Sequence, residues 1–216
     1  DTARVLSEYA DILMIRTSSH KNLEEFSKYS KIPVINGLSD QSHPCQVMSD
    51  ILTFEENNGN IEGKTISWIG DGNNNMSNSF IEAAVKFKFN LKIGCPKKYS
   101  PSGKILKWAS KNKSKIFVTK DPREAAKDAD CIMTDKWVSM NDKVNKKAKK
   151  KSLKDYQVNK KLFKLAKTDC IFMHCLPVGR GEEVADDIID GNKSVVWQQA
   201  YNRVHAQKSI INWCLN

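Results

Sequence analysis

The stretch Ser42-His43-Pro44-Cys45-Gln46-Val47-Met48-Ser49-Asp50-Ile51-Leu52-Thr53-Phe54-Glu55-Glu56 decides how this chain is read. Ser42 or His43 stands at a helix cap, and Pro44 falls at an early helical position, where its missing N–H costs little. Val47, Ile51, Leu52 and Phe54 continue at helical spacing. A helix mouth offers unpaired N–H groups and the positive end of a dipole, so it favours an anionic or strongly polarised ligand. His43 and Gln46 add side-chain donors at that point. A capped amphipathic helix with a chance histidine accounts for the same pattern.

On both sides of this helix, short apolar runs alternate with helical segments. Before it come the end of a helix (1–9), a strand at Ile12–Ile15 leading into Arg16, a helix at Leu23–Tyr29 and a strand at Pro33–Asn36. Continuous apolar runs between helices indicate parallel sheets with both faces covered. In such sheets ligands collect at the carboxyl ends of strands. Arg16 is at one such end and reads as an anion clamp or as a surface charge.

After the turn signal Asn57-Asn58-Gly59, taken as a domain boundary, a strand at Thr65–Ile69 runs into Gly70-Asp71-Gly72-Asn73-Asn74-Asn75 and a helix from about Ser77 to Phe87. The glycine turn is a weak dinucleotide signal. Asn75 replaces the third glycine, and no ribose-binding acid follows the strand Leu91–Gly94. The asparagines suit a small polar ligand instead. Helices at 101–112 and 122–127 alternate with strands at Ile116–Val118 and Cys131–Met133, the latter ending at Asp135. The strand Ile171–Met173 ends in His174-Cys175-Leu176-Pro177. A helix at 159–166, a short strand at Ser194–Trp197 and a helix from Asn202 to Cys214 complete the order. Three strand ends thus bring Asn74, Asp135 with Ser139, and Cys175 toward one rim. An amide, a carboxylate and a thiol there suit an amino-acid-like substrate. Cys175 as a buried small hydrophobe and Asp135 as a loop cap are the plainer readings.

Composition narrows the class. The 216 residues hold one large domain or parts of two, and 40% of them are hydrophobic, with no run long enough for a membrane span. The six cysteines form no C-x-x-C pair, which fits reduced thiols in a cytoplasmic compartment. The net charge of +10 comes largely from Lys, including Lys143, Lys146, Lys147, Lys149, Lys150 and Lys151. Without interleaved aromatics this run reads as a solvated surface helix rather than a nucleic-acid site. The start of the chain resembles neither a signal peptide nor a targeting segment.

Taken together, His43-Pro44-Cys45-Gln46, Gly70-Asp71-Gly72-Asn73-Asn74, Asp135-x-Trp137-x-Ser139-Met140, His174-Cys175-Leu176-Pro177 and Asn202-Arg203 resemble, in order and spacing, the ornithine carbamoyltransferases. The resemblance runs from Asp1 to Asn216. The aspartate branch has a His-Pro-x-Gln element too, but the Ser139-Met140 loop and Cys175 look like the ornithine branch. Lys136 departs from the pattern, standing where the family carries a small or apolar residue. The family's Ser-x-Arg-Thr-Arg phosphate loop is absent, and Arg16-Thr17-Ser18 is no substitute for it.

The resemblance implies an α/β fold of two doubly wound parallel-sheet domains, the first incomplete. Residues 1–58 would belong to a carbamoyl-phosphate domain and 59–198 to an ornithine domain, with 199–216 a helix crossing back to the first. Carbamoyl phosphate would be held by Arg16, His43, Pro44, Cys45, Gln46, Cys175, Leu176 and Arg203, and ornithine by Asn74, Asp135, Ser139 and Met140. Arg16, His43, Asp135 and Cys175 would be catalytic, with Cys175, helped by Asp135, taking the proton from the attacking amine. No metal or organic cofactor is implied, and the full-length enzyme would be a homotrimer. The resemblance also implies that the chain starts partway through the first domain, so that residues 1–216 alone would have little transferase activity. A carbamoyltransferase for another amine such as putrescine, and a non-catalytic basic nucleic-acid-binding protein, are the rival readings.

Overall fold

The computed structural model describes residues 1–138 and 145–216. In chain order the elements are α1 (Thr2–Leu6), β1 (Leu13–Arg16), α2 (His20–Tyr29), β2 (Val34–Leu38), α3 (Pro44–Asn58), β3 (Thr65–Ile69), α4 (Asn75–Phe87), β4 (Asn90–Gly94), α5 (Gly103–Lys111) and β5 (Ile116–Thr119). They continue with α6 (Pro122–Ala126), β6 (Cys131–Thr134), α7 (Lys146–Leu153), α8 (Lys160–Phe163), β7 (Ile171–His174), α9 (Asp186–Ile189) and α10 (Val196–Leu215).

Among the described residues β1 and β2 form a two-stranded parallel sheet, and the other five strands form a second sheet in the order β5-β4-β3-β6-β7. Every pairing in it is parallel. The apolar runs have a simple cause: both faces are buried. Ile66 and Trp68 of β3, Cys131 and Met133 of β6, and Ile171 and Met173 of β7 join one core with Phe54, Phe80 and Leu91. The alternate residues Ile69, Ile132 and Phe172 join the other, with Ala125, Leu162, Val184 and Ile189. The chain reverses its direction of winding between β3 and β6. Their carboxyl ends, Gly70–Asn74 and Asp135, therefore flank the crevice where such sheets hold ligands.

Two expectations need correction. The Val195-Val196-Trp197 run is not a strand. Only Ser194 bridges, to Phe172, before α10 begins at Val196. Strand propensity loses here to the interface with α3, which takes Gln199, Asn202 and Arg203 at helical spacing. The lysine-rich segment forms a mostly exposed helix, α7, but Lys149 is buried. Its Nζ is 2.6 Å from Asp71 Oδ2 and lies over the Tyr99 ring. Asp71 Oδ1 accepts from the Asn73 N–H at 2.8 Å, and the Asp71 carbonyl accepts from Trp68 Nε1 at 2.9 Å. A Cβ at Gly72 would sit 2.9 Å from Cys95 Sγ and from the Tyr99 carbonyl oxygen, so this turn closes only with glycine there.

This pair generates a test. Lys149→Met leaves the Asp71 carboxylate buried and uncompensated, and is expected to destabilise by about 3–5 kcal/mol. The double change with Asp71→Asn should recover much of that loss in urea unfolding. A cost below about 1 kcal/mol for the single change would mean the pair is screened like a surface one.

Candidate functional site

His43 caps α3 without a side-chain hydrogen bond, and Pro44 occupies the first turn. The His43 N–H donates to Ser79 Oγ of α4 at 2.7 Å, which joins the mouth of α3 to α4. His43 is 7% exposed, and its Nδ1 has no hydrogen-bond partner among the described residues. Burial first, then the charges of Arg203 and Arg16, push its pKa down to about 4. The imidazole is therefore neutral near pH 7, with one N–H to donate. Arg16 is exposed at the carboxyl end of β1. Arg203 Nη1, from α10, donates to Gln46 Oε1. Gln207, with its amide oxygen turned inward, accepts from Arg203 Nε at 2.9 Å. Two guanidinium groups and a neutral imidazole thus bracket the start of α3, and this part of the expected set comes together.

Cys45 is different. Its thiol is buried and donates to the Asn36 carbonyl of β2 at 3.4 Å, so it packs α3 against β2 and offers the site only main chain. Asn74 Oδ1 is likewise committed. It accepts from the Ser77 N–H at 2.8 Å, and Ser77 Oγ accepts from the Asn74 N–H in return, a reciprocal cap on α4. Asn75 and Asn78 donate to the carbonyls of Ser39 and Gln41, which binds α4 to the loop before α3. Much of the asparagine richness is thus structural. Ser139 and Met140 lie outside the described residues.

Asp135 and Cys175 follow β6 and β7, which are paired through Thr134 and His174. Cys175 Sγ donates to Asp135 Oδ1 at 3.2 Å, and that oxygen also accepts from the Lys136 N–H at 2.7 Å. Burial raises the Asp135 pKa, against the pull of His174. Burial and then the Asp135 charge raise Cys175 well above the usual thiol range. The thiol therefore keeps its proton and offers it as a hydrogen bond to the Asp135 carboxyl.

Three side chains that the sequence reading passed over complete the arrangement. His174 Nδ1 accepts from the Leu176 N–H at 2.9 Å, which turns its Nε2 to Glu183 Oε1 at 3.3 Å; both residues are fully buried. Gln199 Oε1 accepts from the His174 N–H at 2.8 Å, and its Nε2 donates to Asp50 Oδ1 at 2.7 Å. Gln46 Nε2 donates to the same Asp50 oxygen at 2.7 Å. The signal for Asp50 was present: a carboxylate four residues after Gln46, on the apolar face of α3. Glu183 and Gln199 carried no local signal.

Burial raises the Asp50 pKa from 3.8 to about 7, and His43 moves the opposite way, from 6.5 to about 4. Between 3.8 and about 7 the folded chain keeps an Asp50 proton that the unfolded chain has released. Stability from this group therefore falls as pH rises through that window, and the loss is complete above it. For His43 the unfolded chain binds the extra proton, so stability falls as pH drops from 6.5 through 4. Asp50→Asn removes the first penalty and should raise the melting temperature more at pH 8 than at pH 5. A gain no larger at pH 8 would rule out burial of the charge as its cause.

Comparison with known proteins follows the same lines. Residues 62–214 match the profile described as the Asp/Orn binding domain of aspartate/ornithine carbamoyltransferase, and residues 1–56 match that of its carbamoyl-P binding domain. A Rhodopseudomonas palustris protein named ornithine carbamoyltransferase is 53% identical over 215 residues, which is 100% of this chain and 69% of that relative. The solved structure of the ornithine carbamoyltransferase from Pyrococcus furiosus is 46% identical, with a TM-score of 0.91 over 97% of this chain and 68% of its own. That of the anabolic enzyme from Campylobacter jejuni is 37% identical, with a TM-score of 0.92 over 99% of this chain and 72% of its own. This chain belongs to the aspartate/ornithine carbamoyltransferase family.

Proposed function

We propose that this protein transfers the carbamoyl group of carbamoyl phosphate to the δ-amine of L-ornithine, giving L-citrulline and phosphate. The observation that carries the reading is the Cys175–Asp135 pair at the ends of β7 and β6, joined through Gln199 and Asp50 to the cationic mouth of α3. The high identity to relatives named ornithine carbamoyltransferase supports the ornithine branch.

In this reading residues 1–58 belong to the carbamoyl-phosphate domain, 59–198 form the acceptor domain and 199–216 return to the first. Arg16, His43 and Arg203 donate to the carbonyl and phosphate oxygens. Gln46 Oε1 and the carbonyls at Cys175 and Leu176 accept from the carbamoyl NH₂, and the main chain at Pro44 and Cys45 lines the same subsite. Asn74, Asp135, Ser139 and Met140 hold ornithine. The neutral amine attacks the carbonyl carbon, and the C=O electron pair moves to oxygen. The cationic groups stabilise that oxyanion. As the pair returns, the bond to phosphate breaks and the nitrogen loses a proton.

That proton goes to Asp135 rather than to Cys175. A thiol with so high a pKa already holds its proton and cannot take another, whereas a carboxylate raised by burial is a better acceptor than a free one. Cys175 acts by donating to Asp135 and fixing its direction. Much of the remaining rate comes from holding two substrates in line. The family relationship supports a homotrimer, and six free thiols suit the cytoplasm. No described helix is long and apolar enough to cross a membrane.

The assay is citrulline formation by the longest in-frame product that contains residues 1–216. Ornithine should be the best of three acceptors, ahead of putrescine and aspartate; a preference for either of the others would refute the assignment. In the same enzyme Asp135→Asn should lower kcat about 10²- to 10⁴-fold, the worth of a positioned proton acceptor. Cys175→Ala should lower it about 10- to 100-fold, the worth of one hydrogen bond to a charged group. The reverse order would return the acceptor role to the thiol.

A further inference from the structure

Asp50 lies one turn beyond Gln46 on α3 and is 1% exposed. A carboxylate only accepts hydrogen bonds, so any carboxamide that meets it must present nitrogen. Two do so at the same oxygen, Gln46 from α3 and Gln199 from α10. Their own oxygens are thereby turned outward. Gln46 Oε1 faces Arg203, and Gln199 Oε1 receives the N–H of His174, the residue before Cys175. Asp50 Oδ2 is buried with no partner among the described residues. A buried acceptor left unmatched lowers stability, and a neutral side chain of that shape would fit the seam with less penalty.

We propose that Asp50 is a positioning residue of the transferase site, aiming the Gln46 carbonyl at the carbamoyl NH₂ and tying it through Gln199 to the main chain that presents Cys175. The proposal rests on the transferase reading. Asp50 does not touch the reacting atoms. Its charge is felt at Cys131 on β6 and at Cys175 after β7, and it feels Arg203 on α10 and Asp135 after β6. With its acceptor oxygen in place, neither glutamine can reverse its amide. Without it, Gln46 can turn its NH₂ toward the carbamoyl group, donor against donor.

The enzyme test is a double-mutant cycle. Asp50→Leu, which removes the acceptor oxygen at similar volume, should lower kcat/KM for carbamoyl phosphate about 10- to 100-fold, with KM for ornithine within about threefold of the parent. In a Gln46→Ala background the same substitution should cost less than about threefold, because the side chain it orients is gone. Equal losses in both backgrounds, or none in either, would overturn the proposal. A second measurement needs no activity: the side-chain ¹⁵N–¹H₂ signals of labelled residues 1–216 at pH 8. Gln46 and Gln199 should be protected from solvent exchange, and Asp50→Leu should shift both pairs together. Signals for those two residues at exposed-glutamine positions in the parent chain would also overturn it. A parent without citrulline formation would sink the transferase reading, while the amide signals still test the network.

Discussion

The seam between α3 and α10 is held by directed polar bonds rather than by apolar packing alone. Ser49 Oγ donates to the Gln199 carbonyl at 3.0 Å, and Asn202 Nδ2 donates to Thr53 Oγ1 at 2.9 Å and Glu56 Oε2 at 2.7 Å. Gln198 and Asn57 extend the row to the far end of α3. Apolar contacts tolerate sliding, whereas donors and acceptors at fixed spacing have one register. That register puts Arg203 beside Gln46 and brings the end of β7 to α3. The position of Arg203 in the site follows from it.

A concentrated positive site needs a neutral partner among its cations. His43 supplies one, because burial and two nearby guanidinium charges keep its ring uncharged. A third cation there would repel the others and would cost more to desolvate. A neutral imidazole instead gives one directed N–H toward a developing oxyanion. At the back of the site burial raises the pKa of both Asp50 and Asp135, the Asp135 charge adds to the rise at Asp50, and Arg203 opposes it. The field therefore changes sign across the crevice, positive where phosphate would sit and negative where an amine would lose its proton.

Most strands were legible because the doubly covered sheet leaves uninterrupted apolar runs, and Pro44, Pro122 and the Gly70–Gly72 turn mark element starts. The motifs carrying His43, Arg203, Asp135 and Cys175 were legible as well, since chemistry-bearing residues fall at strand and helix ends. What failed had a common cause. Ser194–Trp197 looked like a strand and Lys149 like a solvated charge, yet each is decided by a partner far away in sequence. The Lys149–Asp71 pair spans 78 positions (149 − 71), and the Gln199–Asp50 bond spans 149. Local pattern carries no information about such partners, and a buried polar group reveals itself only when its acceptor is known.

The two buried polar centres lie where the chain has most to lose by being loose. Lys149 and Asp71 fix the loop between β3 and α4 from the side of α7, while Asp50 fixes the crossing of α3 and α10. Replacing the whole of either centre, every partner together, by apolar side chains of similar volume would remove a desolvation penalty. It would also free the loop and the amides to choose among several arrangements of similar energy. A site that must hold an electrophile and a nucleophile at attack distance loses much of its rate to errors of about 1 Å. Stability is thus given up where it secures a single geometry, and the packed strands of the second sheet supply it elsewhere.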